Sequence, residues 1–379
     1  MYNTKQPIAF LILVLGLFIY ACKQKEVVLE EKKGLRAIFT DDFLIGAAIN
    51  ANQILEKDAK ALPLLLMEFN SITPENIMKC EIIHPEWDKY NFELADKIVA
   101  LGEKNEMFTV GHTLVWHSQL SPFVKNIKSR DSLSQFLEQH INTIASRYDG
   151  KIDAWDVVNE ALNEDGTTRK SIFSDLLGGN FVTEAFRLAQ KATPNSELYY
   201  NDYNIEQPKK RKGAIELIKK IQAAGVRIDG VGIQGHWSIK GLPLEDIEQS
   251  ILDYAALGIK VMFTEVDITV LPNPWDLQGA DVNQNFEGSP MMNPYPESLP
   301  DSMQVALADE YGKLFNLFLK HKDKISRVTF WGISDANSWL NGWPIKGRTN
   351  YPLLFDRNYL PKPAYDKVVS TKDIKVKGS

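Results

Sequence analysis

The sequence predicts a single-domain (β/α)8 barrel of the α/β class. Three observations predict it. Eight short apolar runs rich in Val, Ile and Phe alternate with longer segments whose apolar residues recur at helical spacing. No Pro/Ser-rich linker and no repeat of solenoid period divides the chain. Several apolar runs end in polar residues, as strands do when they emerge at the catalytic face of such a barrel.

The strands are predicted in order at 43–49, near Leu64 to Ser71, at 108–114, 154–160, 198–204, 230–236 and 260–265, and at 328–333. Between them, Leu133 to Tyr148 places Leu133, Phe136, Leu137, Ile141, Ile144 and Ala145 on one helical face. Gly213 to Ala224 repeats the pattern, with Gly225 positioned to end the helix. Segments 247–256 and 305–318 read the same way. A doubly wound open sheet is the alternative. It is disfavoured because no glycine-rich phosphate loop follows the first strand. From Thr269 to about Ser302 the chain is rich in Pro, Asn, Asp and Gly and lacks periodicity, so a long loop is expected above the strand ends. Its acids and amides, Asp276, Asp281, Asn283, Asn285 and Glu287, are read as a solvated polar loop, with a Ca²⁺ site as the alternative.

The ends are not fold. Lys5 precedes an apolar run from Ile8 to Tyr20 that stops at Ala21-Cys22, the layout of a signal peptide over residues 1–21. Ile19-Tyr20-Ala21-Cys22 resembles a bacterial lipobox, which implies cleavage before Cys22, lipid attachment to it, and export to a periplasmic or cell-surface membrane face. An ordinary signal peptide is the alternative. Residues 22–36 form a charged tether, and the catalytic domain is expected over 37–372. Cys22 and Cys80 are the only cysteines, so a lipidated Cys22 leaves no intrachain disulfide. The net charge is −6 without a basic stripe, which argues against a nucleic-acid partner. A monomer is the default expectation.

The strand ends gather chemistry. Glu75, Asn76 and Lys79 follow the second strand; His112, Trp116 and Gln119 the third; Asn159 and Glu160 the fourth. Asn201 and Tyr203 end the fifth, Gln234 and His236 the sixth, Glu265 and Asp267 the seventh, and Trp339 and Trp343 follow the eighth. No zinc-ligand spacing, nucleophile elbow or phosphate loop is present. Two carboxyls among amide donors and indoles suit glycoside hydrolysis. One carboxyl protonates the leaving oxygen while the other attacks the anomeric carbon, and neither needs a cofactor or metal.

Trp155-Asp156-Val157-Val158-Asn159-Glu160 and Thr264-Glu265-Val266-Asp267 resemble the two signature segments of glycoside hydrolase family 10, the retaining endo-β-1,4-xylanases. Residues 69–79, 111–119, 201–204 and 331–339 look like further segments of that family, and the resemblance runs from about Phe43 to Val369. It implies Glu160 as acid/base and Glu265 as nucleophile, with carboxyls about 5–5.5 Å apart. It implies that His236, backed by Asp267, orients the nucleophile, that Asn159 binds the sugar 2-hydroxyl, and that Gln234 sits beside them. Glu75, Asn76, Lys79, His112 and Gln119 match residues binding the non-reducing side of xylan. Trp116 and Trp339 would wall the cleaved sugar, Trp343 would form a lid, and Tyr203 would be a platform on the leaving-group side. Trp331, inside an apolar strand, reads as core, and Asp156 as a structural hydrogen-bonding group. The family commonly has Trp where Cys80 stands, so a reshaped distal subsite is expected. The long 269–302 loop is expected to extend the leaving-group side. A β-1,4-glucanase or mixed hydrolase is the rival enzyme reading, and a non-catalytic glycan-binding lipoprotein the rival outside enzymes.

Overall fold

The computed structural model describes Met1 and residues 33–372. The residues read as a signal peptide, Cys22 and most of the expected tether lie outside the described residues. Nine parallel strands form the sheet: β1 Leu44–Ile49, β2 Ser71–Pro74, β3 Phe108–Trp116, β4 Ala154–Asn159, β5 Glu197–Asp202, β6 Gly230–Ile233, β7 His236–Ser238, β8 Lys260–Thr269 and β9 Ile325–Phe330. They pair in the order β6-β5-β4-β3-β2-β1-β9-β8-β7, and a β6–β8 pairing closes the barrel. β7 continues the line of β6 after a break at Gln234-Gly235, where Gly235 takes φ +81°. The result is an eight-stranded (β/α)8 barrel with one interrupted strand.

Among the described residues, eight helices of two turns or more accompany it: α1 Ala61–Glu68, α2 Glu93–Lys104, α3 Arg130–Arg147, α4 Phe181–Ala192, α5 Pro208–Ala223, α6 Leu244–Ala255, α7 Asp301–Lys320 and α8 Pro363–Ser370. Each follows its strand, the order that right-handed crossovers impose. Their apolar faces bury Ile45, Ile72, Val157, Leu198, Val231, Val261 and Val328 in one continuous core. A smaller cluster of Val110, Ala154, Tyr199 and Met262 gathers separately from it.

One predicted element is corrected. The run near Leu64 to Ser71 is largely helix α1, and the strand begins only at Ser71. Leu and Met favour helix over strand, and Ala61, Leu65 and Glu68 fall on one buried face. Glu68 is buried because its carboxylate accepts the Leu35 amide at 2.8 Å and the Tyr365 hydroxyl. That contact also draws in the end of the tether: Leu35 is fully buried, so the fold begins before residue 37. Cys80 starts a short helical turn, with its thiol in the core 3.6 Å from the Ser121 hydroxyl. It therefore does not line the catalytic pocket.

The long loop runs from Val270 to Pro300 and is tied across the strand ends rather than solvated along its length. Asp281 pairs with Arg169 at 3.3 Å, and the Ser118 hydroxyl donates to Asn283 at 3.2 Å. Tyr295 and Asn293 bond residues 351 and 349. Among the described residues no group of three or more His, Cys, Asp or Glu is placed to hold a metal ion, and no helix is long and apolar enough to cross a membrane.

Candidate active site

Glu160 is the residue just past β4, held at φ +57°. It is 4% exposed. Its Oε1 accepts from Asn159 Nδ2 at 3.1 Å and Gln234 Nε2 at 3.0 Å, and its Oε2 from Trp116 Nε1 at 2.8 Å. Burial pushes its pKa up, and the donated bonds only partly offset that, so the group stays above the usual carboxylate range.

Glu265 lies within β8, also buried, with the opposite balance. Burial again raises its pKa, but His236, His112 and Asn201 outweigh it and hold the carboxyl below its ordinary value. His236 Nε2 meets Glu265 Oε2 at 3.2 Å, and its Nδ1 meets Asp267 Oδ1 at 3.0 Å. Burial alone would discharge this imidazole. The two flanking carboxylates instead lift its pKa to about 10, so at neutral pH it is a cation donating both N–H groups. Trp339 Nε1 donates to the other Asp267 oxygen at 2.7 Å, which fixes that carboxylate in turn.

A bridge of amides joins the two glutamates. Asn201 Nδ2 donates to Glu265 Oε1 at 2.8 Å and to Asn159 Oδ1 at 3.0 Å, and Asn159 in turn donates to Glu160. The Asn201 carbonyl accepts from Thr264 at 2.6 Å. Gly232 makes this possible, because a Cβ there would lie 2.4 Å from Asn201 Oδ1. Asn201 is counted among the strand-end amides in the sequence, but its place between the two glutamates is not read there. A buried amide with both ends committed leaves no signal in a single sequence.

Asn159, Glu160, Gln234, His236 and Glu265 line a pocket of about 150 Å³ at the carboxyl ends of the strands. Glu75, Asn76, Lys79, His112, Trp116, Gln119 and Trp339 line the same pocket. Lys79 Nζ donates to Asn76 at 2.9 Å and lies 4.7 Å from the Trp116 ring centre. Burial lowers its pKa and raises that of Glu75. His112 is fixed by Asp156 at 2.9 Å, a structural hydrogen bond for that aspartate. Gln119 Nε2 donates to Glu81 at 3.0 Å.

Three expected residues sit elsewhere. Asp267 stands behind His236, lining an adjoining compartment with Trp343. Trp343 stacks on Trp339 with ring centres 4.5 Å apart. Tyr203 lines neither space. It is 3% exposed, its hydroxyl accepts from Arg169, Lys210 sits over its ring, and Gly279 of the long loop packs against it. The loop thus covers the expected platform. Trp331, read as core, is buried and also lines the pocket, edge-on to His112 at 5.3 Å. β9 ends at Phe330, so Trp331 is the first residue out of the strand. Ala280 and Val282 of the loop also reach the pocket.

The family model for glycosyl hydrolase family 10 matches residues 34–371. The chain belongs to that family. As a family 10 chain it is 43% identical to endo-1,4-beta-xylanase A of Xylanibacter ruminicola, over 86% of this chain and 90% of that protein. It is 38% identical to a beta-1,4-xylanase of Dictyoglomus thermophilum, over 97% and 99% respectively. A solved family 10 endoxylanase from a sugarcane soil metagenome superimposes with TM-score 0.86 at 45% identity, covering 89% of this chain and 99% of that one.

Proposed function

We propose that this family 10 enzyme is an endo-1,4-β-xylanase, hydrolysing internal β-1,4-xylosidic bonds of xylan with retention of configuration. The observation that carries the reading is the divergent poise of two buried glutamates in one pocket. Glu160 is held toward its neutral form by burial, and Glu265 toward its anion by the His236 cation.

The reaction follows from that poise. Glu265 attacks the anomeric carbon as Glu160 gives its proton to the leaving oxygen, forming a glycosyl ester on Glu265. Having lost its proton, Glu160 takes one from water, which attacks the same carbon and releases Glu265. Asn159 lines the pocket beside Glu160 and suits the sugar 2-hydroxyl, a contact that strengthens in the oxocarbenium-like transition state. The chemistry needs no cofactor. The Glu75, Asn76 and Lys79 group would hold the non-reducing side of the chain.

The same proposal includes export, lipid attachment at Cys22 and action as a monomer. The lipobox-like Ile19 to Cys22 segment supports the anchor. A Cys22→Ser protein that stays with the membrane fraction would remove it, and light scattering of the purified domain checks the monomer. The catalytic reading is tested by hydrolysis of soluble glucuronoarabinoxylan and carboxymethyl-cellulose by wild type and Glu265→Ala. Xylan cleavage lost in the variant supports it. Activity mainly on the cellulose derivative would make the enzyme a glucanase, and tight xylan retention without hydrolysis would make it a binding protein.

A further inference from the structure

The pocket that holds Glu160 and Glu265 is small for its task. Its volume is about 150 Å³, whereas small-molecule sites usually run from about 300 to 1,000 Å³. An endo-acting hydrolase must also admit a polymer on both sides of the bond it breaks. Two apolar side chains of the long loop reach this space. Ala280, 7% exposed, and Val282 line the pocket together with the two carboxyls.

The loop's own bonding divides it into a tip and two stems. Over residues 278–284 the tip braces itself. The Gln278 amide donates to Gln284 Oε1 at 2.8 Å, Gln284 Nε2 donates back to the Gln278 carbonyl at 2.7 Å, and the Asn283 amide donates to Asp281 Oδ1 at 2.9 Å. The stems are fastened to the segment after β9. Arg348 donates to the Pro272 carbonyl at 2.9 Å, and the Phe286 amide to the Pro344 carbonyl at 2.9 Å. Across the pocket, the tip meets loops that follow β3, β4 and β5. Asp281 pairs with Arg169 at 3.3 Å, Asn283 accepts from Ser118 at 3.2 Å, and Gly279, at φ +55°, packs on Tyr203. Both polar contacts are long for hydrogen bonds. A self-braced tip on fixed stems, held at its far side by weak contacts, is built as a lid rather than as a wall.

On the xylanase reading above, we propose that residues 278–284 form a strap that closes the catalytic pocket of the resting enzyme and lifts away before xylan binds, with the Asp281–Arg169 pair as its latch. The stems stay in place while the tip moves. Substrate then binds only the open fraction of the enzyme, and the apparent affinity is reduced by that fraction. Loosening the latch enlarges the open fraction. KM for xylan falls, while kcat, set by steps after the strap has lifted, is unchanged.

The test uses Asp281→Asn and Ser118→Ala, because neither residue lines the pocket. Each is expected to lower KM for xylohexaose roughly threefold, the scale of one partly exposed polar pair, with kcat held within about twofold. Hydrogen exchange of the 278–284 amides gives the direction of the movement. In the free enzymes these amides are expected to exchange faster in Asp281→Asn than in wild type, a comparison that needs no substrate. In Glu265→Ala, which lacks the attacking carboxylate, adding xylohexaose is expected to speed their exchange further. A KM that fails to fall in either variant, a kcat that falls with it, or exchange that slows or holds steady on adding xylohexaose would overturn the proposal, because the tip would then be a wall of the bound site. Absence of xylohexaose hydrolysis by wild type would instead refute the xylanase reading on which it rests.

Discussion

Replacing His236 with Ala is the sharpest probe of the electrostatics. The side chain gives Glu265 one hydrogen bond, at 3.2 Å, and one neighbouring positive charge, in a site where the glutamate is 5% exposed. A hydrogen bond to a charged group contributes ~1.5–3 kcal/mol. At ~1.36 kcal/mol per pKa unit, its loss raises the Glu265 pKa by about one to two units. Only the Asn201 and His112 contributions then oppose burial. Because Glu265 must be ionised to attack, the acid limb of kcat/KM against pH moves up by the same about one to two units. The assay is a full pH profile on an aryl β-xylobioside. An acid limb that stays in place while the rate falls uniformly would refute the argument and leave His236 as a packing residue. Stability gives an independent reading. His236 has a folded pKa raised from the unfolded 6.5 to about 10, so its contribution is fully present below 6.5 and is lost as pH rises through about 10. The gap in Tm between wild type and variant is therefore expected to be wide at mildly acidic pH and to close toward alkaline pH.

Other substitutions follow from the same geometry. Trp116→Phe removes a donor that favours ionised Glu160, so the alkaline limb of the rate profile should rise by about half to one unit, from ~0.5–1.5 kcal/mol of hydrogen bonding. Lys210 and Asp202 form an ion pair at 2.9 Å with both side chains fully buried; Lys210→Met should cost ~3–5 kcal/mol in denaturant unfolding because it strands a buried carboxylate. Gly232→Ala should displace Asn201, costing ~1–3 kcal/mol from overpacking and lowering kcat more than KM, which steady-state kinetics on xylo-oligosaccharides will show.

The barrel was legible because its evidence is local. Alternating runs such as Gly230 to Ile233 and Lys260 to Glu265 carry strand character in their own residues, and the helical stripe of Leu133 to Ala145 does the same for α3. The misreading of Leu64 to Ser71 arose where a buried apolar run is short enough to fit either element. That Glu160 and Glu265 share one pocket was legible because both stand toward the carboxyl ends of barrel strands. Asn201 and Trp331 were harder to read. The role of the first depends on which side chains β4 and β8 bring beside it, and that of the second on a strand ending three residues earlier than its apolar run suggests. Tyr203 shows the converse: a residue type and position suited to sugar stacking is overruled by Gly279, which is distant in sequence and packs on its ring.

The central claim is that Glu265 becomes covalently bonded to the sugar while Glu160 handles the proton. It is tested most directly by reacting wild type with an activated 2-deoxy-2-fluoro-β-xylobioside and locating the adduct by peptide mass spectrometry. The fluorine slows both steps, and the good leaving group spares the first, so the ester accumulates. The account predicts one added xylobiosyl unit on the peptide carrying Glu265, formed at a much reduced rate in His236→Ala. Labelling of another residue, or turnover of xylan by an enzyme that never forms the adduct, would contradict it.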